Sequence, residues 1–275
     1  MIAGHVVSFL TVERVVFTRL SIFRGGFTRE GAQAVTGATL RTLARLVNKS
    51  LVRHDPAGRY DLHELLRQYG EEKLNTSPQE NEAVRSLHAA YYTEFLHQRW
   101  ASLKTNRQPA MVDEIEAEID NVRSAWHTMC RERQIADLSK SFNSLWSFYD
   151  LRDRLQEGLQ LFGQAVDALR LAPAELETDI LLGDLLARQS WFYSTLGRPD
   201  LGKTVAEESI SILRRSQRKD DVLIGLDGLA MTYFMVNSDW LFRSFREGGQ
   251  KDPEFTHPAA ISGSQLLETP GEPER

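Results

Sequence analysis

Nine prolines divide the chain of 275 residues, and where they fall constrains its fold more than any other feature. Proline lacks a backbone N–H and breaks helix interiors, so helices must run between prolines. Pro56, Pro78, Pro109, Pro173 and Pro199 each lie between apolar-periodic stretches. Pro253, Pro258, Pro270 and Pro273 instead crowd residues 246–275, together with Gly248, Gly249, Gly263 and Gly271. The first five are expected to punctuate helices and turns, and residues 246–275, which lack helical periodicity, to form a disordered tail.

Charge follows the same division. Residues 1–75 carry 11 Lys/Arg against 7 Asp/Glu, residues 76–245 carry 19 against 25, and residues 246–275 carry 3 against 6. A mildly basic head, an acidic body and a loose acidic tail result. With 41% hydrophobic and 26% charged residues, collagen-like, fully disordered and disulfide-rich classes are excluded. The single cysteine, Cys130, permits no internal disulfide and fits a reducing cytoplasm. The apolar stretch from Ile2 to Val12 is broken by Gly4, His5 and Ser8. It is too short to span a bilayer and lacks the basic start and cleavage site of a signal peptide, so no membrane association is expected.

The head reads as three helices, a hairpin and a closing helix. Val16, Leu20 and Phe23 give the stretch Glu13 to Phe23 a helical period that Gly25-Gly26 ends. Thr28 can cap a short helix stopping at Gly37, and Thr39 a third helix with Leu40, Leu43, Ala44 and Val47 as its apolar face. The period then changes to two. Leu51 to His54 and Arg59 to Leu62 flank the turn Asp55-Pro56-Ala57-Gly58, and a helix from His63 to Leu74 follows. This order is that of a winged helix.

The body shows almost no strand signal. Amphipathic stripes are expected at Ala83, Leu87, Ala90 and Tyr91, at Ile115, Ile119, Val122, Trp126 and Met129, and at Leu155, Leu159, Phe162 and Val166. Others follow at Leu182, Leu185, Leu186 and Gln189, at Val205, Ser209 and Ile212, and at Leu226, Leu229, Tyr233 and Val236. Leu186, Tyr193 and Leu196 recur forty positions later as Leu226, Tyr233 and Val236. Stacked helical hairpins of a loosely tetratricopeptide-like kind are expected. The fold class is thus mainly α, a small winged-helix (α+β) module followed by a helical repeat array.

Four motifs bear on chemistry. Gly197-Arg-Pro-Asp-Leu-Gly202-Lys203-Thr204 spells the P-loop pattern, and Val222-Leu-Ile-Gly-Leu-Asp227 resembles a Walker B strand. A P-loop must follow a buried parallel strand, whereas Leu182 to Leu196 is helix-periodic, so an inter-helix turn is the preferred reading and nucleotide binding at 197–204 the disfavoured one. His63-Glu64 begins like a zinc-protease helix, but Arg67 stands where the second histidine belongs, so no metal site is expected. Arg41, Arg45 and Lys49 form a basic stripe on the third helix, the helix that enters a major groove in a winged-helix DNA binder. The weighed alternative is a solvated outer face, because the head is only mildly basic. Glu114, Glu116, Glu118 and Asp120 read as a charge run solvating an outer helix face. No catalytic constellation can be assembled, so no enzyme activity is expected.

The runs Phe17–Glu30, Leu43–Val52 and Arg59–Leu74 resemble the winged-helix module of bacterial STAND signal-transduction NTPases, the AfsR/LuxR-type regulators and predicted ATPases. Glu118-Ile-Asp-Asn-Val-Arg-Ser-Ala-Trp126 resembles the start of their tetratricopeptide-type sensor region. The resemblance covers roughly residues 13–240 and is most specific in its first sixty. It implies an ATP/ADP-controlled switch whose repeats sense a ligand or partner, and a histidine that contacts nucleotide phosphates, matched here by His63 within Leu62-His63-Glu64. The NTPase core and the DNA-binding output domain are not found in this chain, so no cofactor is expected in it. The implied layout is an N-terminal lead at 1–12, a winged helix at 13–75, a linking helix at 76–110, repeats at 111–245 and the tail at 246–275. The implied role is a regulatory fragment that binds a protein or peptide partner through its repeats, with the winged helix as a docking or autoinhibitory module. An NTPase core is a further expected partner. A winged-helix transcriptional regulator that binds DNA is the alternative.

Overall fold

A computed structural model describes residues 11–173 and 175–216. The lead up to residue 10, the Walker-B-like run, the repeat echo at Leu226, Tyr233 and Val236, and the tail at 246–275 lie outside the described residues.

Helix α1 (Thr11–Leu20) buries Val16, Phe17 and Leu20. It ends sooner than the expected Phe23, because the amides of Ser21, Ile22 and Phe23 bond to carbonyls three residues back and tighten the turn. Helix α2 (Arg29–Thr36) starts where the Thr28 side chain accepts the Gly31 N–H and stops at Gly37, whose φ of 73° a side chain would resist. Helix α3 (Leu40–Asn48) starts on Thr39, which accepts the Thr42 N–H. Its inward face is Thr42, Leu43 and Leu46, not the expected Leu40, Leu43, Ala44 and Val47. Leu40 is 57% exposed. The buried carboxylate of Glu13 on α1 draws Arg45 and Lys49 toward α1 and sets how α3 is turned.

Strands β1 (Arg53–His54) and β2 (Tyr60–Asp61) pair antiparallel, with Arg53 opposite Asp61 and His54 opposite Tyr60. The hairpin is shorter than its sequence pattern. The amides of Leu51 and Val52 bond back to Leu46, and Tyr60 pairs on its far side with Phe27. Helix α4 (Glu64–Asn75) closes this small α+β module against α1.

Helix α5 (Pro78–Leu103) has Pro78 in its first turn and runs 26 residues. It packs on α2 at one end and the array at the other. Its buried row is Val84, His88, Tyr92 and Leu96, one position on from the stripe expected at Ala83, Leu87 and Tyr91; Leu87 is 48% exposed. Apolar residues surround this helix on several sides, and tertiary contacts choose the face. The stripe from Ile115 to Met129 is buried as expected. It belongs to two helices, however, α6 (Gln108–Ala117) and α7 (Ile119–Glu132), which meet at Glu118.

Antiparallel pairs follow: α8 (Ile135–Leu151) with α9 (Leu155–Arg170), then α10 (Leu176–Thr195) with α11 (Pro199–Leu213), and a 3-10 turn at Arg214–Ser216. Helices α5, α8 and α10 lie side by side in one layer, and α7 packs on α9 in the other. Two glycines allow the tightest approaches. A Cβ at Gly183 would stand 2.4 Å from Leu213, and one at Gly158 2.8 Å from Phe192. The chain is therefore mainly α, a small α+β module followed by a helical array. Among the described residues no helix is long and apolar enough to cross a membrane.

Candidate functional site

The head and the array meet around Glu118. This residue lies at the junction of α6 and α7, three after Ile115 and four before Val122, on the apolar row itself. It is 4% exposed, so the expected solvated face is corrected here: Glu118 is buried. Its Oε1 accepts from Arg59 Nη1 of the hairpin. Its Oε2 accepts from the Tyr92 hydroxyl at 2.7 Å and from Asn121 Nδ2 at 2.9 Å. Arg59 Nη2 also donates to the Ala117 carbonyl at 3.1 Å. Burial opposes the charge of Arg59, but Glu118 more than offsets it and raises the guanidinium pKa. The Tyr92 hydroxyl is held protonated by burial and by the Glu118 carboxylate.

Asn121 completes the junction. Its Oδ1 accepts the Arg24 N–H at 2.7 Å, and its Nδ2 donates to the Gly26 carbonyl at 2.8 Å. The loop can present both groups because Gly25 and Gly26 adopt φ of 69° and 85°. A Cβ on Gly26 would stand 2.9 Å from the Tyr60 carbonyl. His88 of α5 is buried under this loop, its ring 5.3 Å from Phe23 and 4.7 Å from Tyr92. Both Asn121 amide hydrogens are already used, and His88 Nε2 has no hydrogen-bond partner. Burial, aided by Arg24 and Arg85, lowers the His88 pKa to about 3 against a smaller opposing effect of Asn121.

A cavity of about 130 Å³ opens beside this loop, lined by Arg24, Gly25, Asp61, Glu64 and Arg67 among others. Its cations are matched: Arg24 and Arg67 both bond Glu71, at 2.9 and 2.6 Å, and Arg67 also bonds Glu64 at 2.6 Å. His63 does not line it. His63 is exposed and caps α4, its Nδ1 accepting the Leu65 N–H at 3.3 Å.

The other sequence-derived candidates lie apart from this junction. Arg41 is exposed. Arg45 and Lys49 stand 3.5 and 2.5 Å from the oxygens of Glu13. Residues 197–204 join two helices, α10 and α11. Gly197, at φ 74°, ends α10, its N–H bonding Ser194 and the Arg198 N–H bonding Tyr193, the paired bonds of a glycine helix stop. The Gly202 N–H bonds the Arg198 carbonyl inside α11. The glycine amides a phosphate cradle needs are therefore already occupied by helix bonds. Among the described residues no His/Cys/Asp/Glu cluster could hold a metal. Burial pushes the Cys130 thiol up to about 12, which leaves it unreactive near neutrality.

Of the aromatic residues, Trp126 and Phe192 are fully buried. Trp100, Trp146 and Trp191 are half-buried, one on each of α5, α8 and α10. Lys104 lies over Trp100 at 3.9 Å and Arg188 over Trp146 at 4.3 Å, while Trp191 Nε1 donates to Asp150 at 2.7 Å.

Sequence reasoning missed Arg59, Tyr92, His88, Glu118 and Asn121 as a set. One signal was present: Glu118 and Asn121 fall at apolar spacings of α6–α7, where a solvated charge run should not.

The class defined by this architecture is a small α+β module fixed to a helical array. No family model matches the chain. It is 31% identical over 206 residues to proteins named "Putative HTH-type transcriptional regulator" from Mycobacterium tuberculosis and Mycobacterium bovis. The match covers 69% of this chain and 23% of each relative, so the chain spans about a quarter of the relatives' length. It is also similar to the crystal structure of a STAND protein with a tetratricopeptide repeat sensor from Pyrococcus horikoshii. That likeness is 14% identical, covers 87% of this chain and 52% of the other, and has a TM-score of 0.28, which does not define a common fold.

Proposed function

We propose that this chain is a non-enzymatic regulatory segment. Its helical array receives a protein or peptide partner, and its head is a winged-helix docking module. The carrying observation is that α5 and α10 both pack on α8, and each of the three helices carries one half-buried tryptophan, Trp100, Trp146 and Trp191. Aromatic side chains with cations above them suit the ends and rings of a bound peptide, because they offer area with little conformational entropy to lose. The name of the mycobacterial relatives supports a regulatory role. The expected family arrangement would have an NTPase core supply ATP or ADP binding, with His63 at its phosphates.

Site-specific photocrosslinking tests this. A crosslinker at Trp191 is expected to give a discrete protein adduct in the native cell, and one at exposed Leu171 is expected to give none. Equal labelling from both positions would remove the reading.

DNA binding is the second reading, favoured only by exposed Arg41 and by the relatives' name. Two of the three stripe cations flank Glu13, whose single charge offsets one of them. Salt-dependent affinity needs cations free to replace counterions on phosphates. Fluorescence anisotropy at low ionic strength is therefore expected to show no duplex binding, and no change in the Arg41→Ala variant. Binding that falls with salt and is lost with Arg41 would establish the DNA reading instead.

A further inference from the structure

We infer that Glu118 is the pin of a rigid joint, a positioning residue that makes the head open and close as one cooperative unit with the first helices of the array, up to α7. The inference concerns the link between the two parts and holds whatever the array binds.

The Glu118 side chain is 5% exposed and belongs to the array, while its counter-charge, Arg59, sits on the hairpin of the head and is 24% exposed. The two carboxylate oxygens are divided: one accepts from the head, the other from Tyr92 and Asn121 of the array. Asn121 then bonds back to the head's backbone at Arg24 and Gly26, so that one side chain holds both an N–H and a carbonyl. Three points of attachment within four residues of the α6–α7 junction fix a position and an orientation.

The energetics make the joint all-or-none. A buried carboxylate is tolerable only while its cation and hydrogen-bond donors remain seated. If the head drew back slightly, Arg59 would leave before water could fill the gap, and Glu118 would stay buried beside Tyr92 without a counter-charge. Small displacements are therefore penalised more than seated or fully opened arrangements. Close-packed interfaces respond in the same discrete way. Helix α5 strengthens this, because it carries Tyr92 within the junction and packs on both α2 and α8 without a break.

Hydrogen exchange on the whole chain tests the inference. In the native protein the slowest amides of α1–α3 and of α7 are expected to exchange by the same opening, with the same denaturant dependence. Glu118→Gln keeps the shape and removes the charge. It should speed exchange in α1–α3 at least tenfold while leaving α10 and α11 unchanged. Arg59→Ala, which removes the counter-charge from the head's side and leaves the Glu118 carboxylate in place, should do the same and serves if the Gln variant does not fold. Arg152→Ala, which removes pairs with Asp113 and Glu116 outside the buried junction, should leave the head unchanged. Different openings for α1–α3 and α7 in the native protein would overturn the inference. So would equal acceleration of α10 and α11, or no acceleration of α1–α3 in either joint variant.

Discussion

Replacing Trp126 with alanine is expected to lower the unfolding free energy of the chain by about 4 kcal/mol, within the range for deleting a large buried aromatic side chain. Trp126 has 0% exposure. Its indole N–H donates to the Leu161 carbonyl at 3.1 Å across from α7 to α9, and its ring meets Phe162 edge-on at 5.6 Å. Phe162 in turn stacks on Phe192 at 5.8 Å and meets Phe142 at 5.7 Å. One indole thus supports the aromatic column that joins α7, α8, α9 and α10, and neighbours held this tightly cannot collapse into the space it leaves. Urea denaturation followed by far-ultraviolet circular dichroism measures the loss. A midpoint within error of the native protein would show that the column does not bear the packing assigned to it.

Acidification should act at the head–array boundary through His88. Its folded-state pKa is lowered to about 3, while an unfolded histidine titrates near 6.5. The unfolded chain therefore binds a proton that the folded chain refuses. Stability from this residue is fully present above about pH 6.5 and is lost as the pH falls toward the folded value. The slope is about 1.4 kcal/mol per pH unit, so descent from pH 6.5 to pH 5 costs about 2 kcal/mol. Arg24 and Arg85 push in the same direction, because a second cation beside them is unfavourable. His88→Leu should flatten this part of the stability–pH curve whatever it does to the absolute value at pH 7. An unchanged slope in the variant would assign the acid sensitivity to other groups.

Much of the fold was legible because local chemistry dictated it. Thr28, Gly37 and Thr39 set helix ends through caps and a left-handed backbone, which depend on neighbours within four residues. The stripe at Leu155 to Val166 was legible because Gln156, Glu157, Gln160, Gln164 and Asp167 fill the opposite face, whereas α10 is buried on most sides and its stripe is only part of its packed surface. Helix α5 was misjudged by one position because Val84, Leu87, Tyr91 and Tyr92 supply apolar surface in more than one direction, and only packing decides among them. Residues 197–204 were legible as an inter-helix turn because a helix-periodic stretch precedes them. The junction was least legible. Arg59 and Glu118 are separated by 59 positions, and neither alone has a pattern that a neighbour predicts. Charge near charge suggested solvent, and burial is a fact about two distant segments meeting.

Helix α5 carries one more consequence. At 1.5 Å per residue its 26 residues form a shaft of about 39 Å. One end is keyed to the head and the other to the array, so the number of residues between them sets an angle as well as a length. Adding a single residue to the middle would turn one end against the other by about 100°, and no side-chain adjustment absorbs a rotation of that size. Insertions should therefore be tolerated only in the connections beyond the shaft, such as the turn at Lys104–Arg107, where an added residue changes a path and leaves the gearing between the two ends in phase.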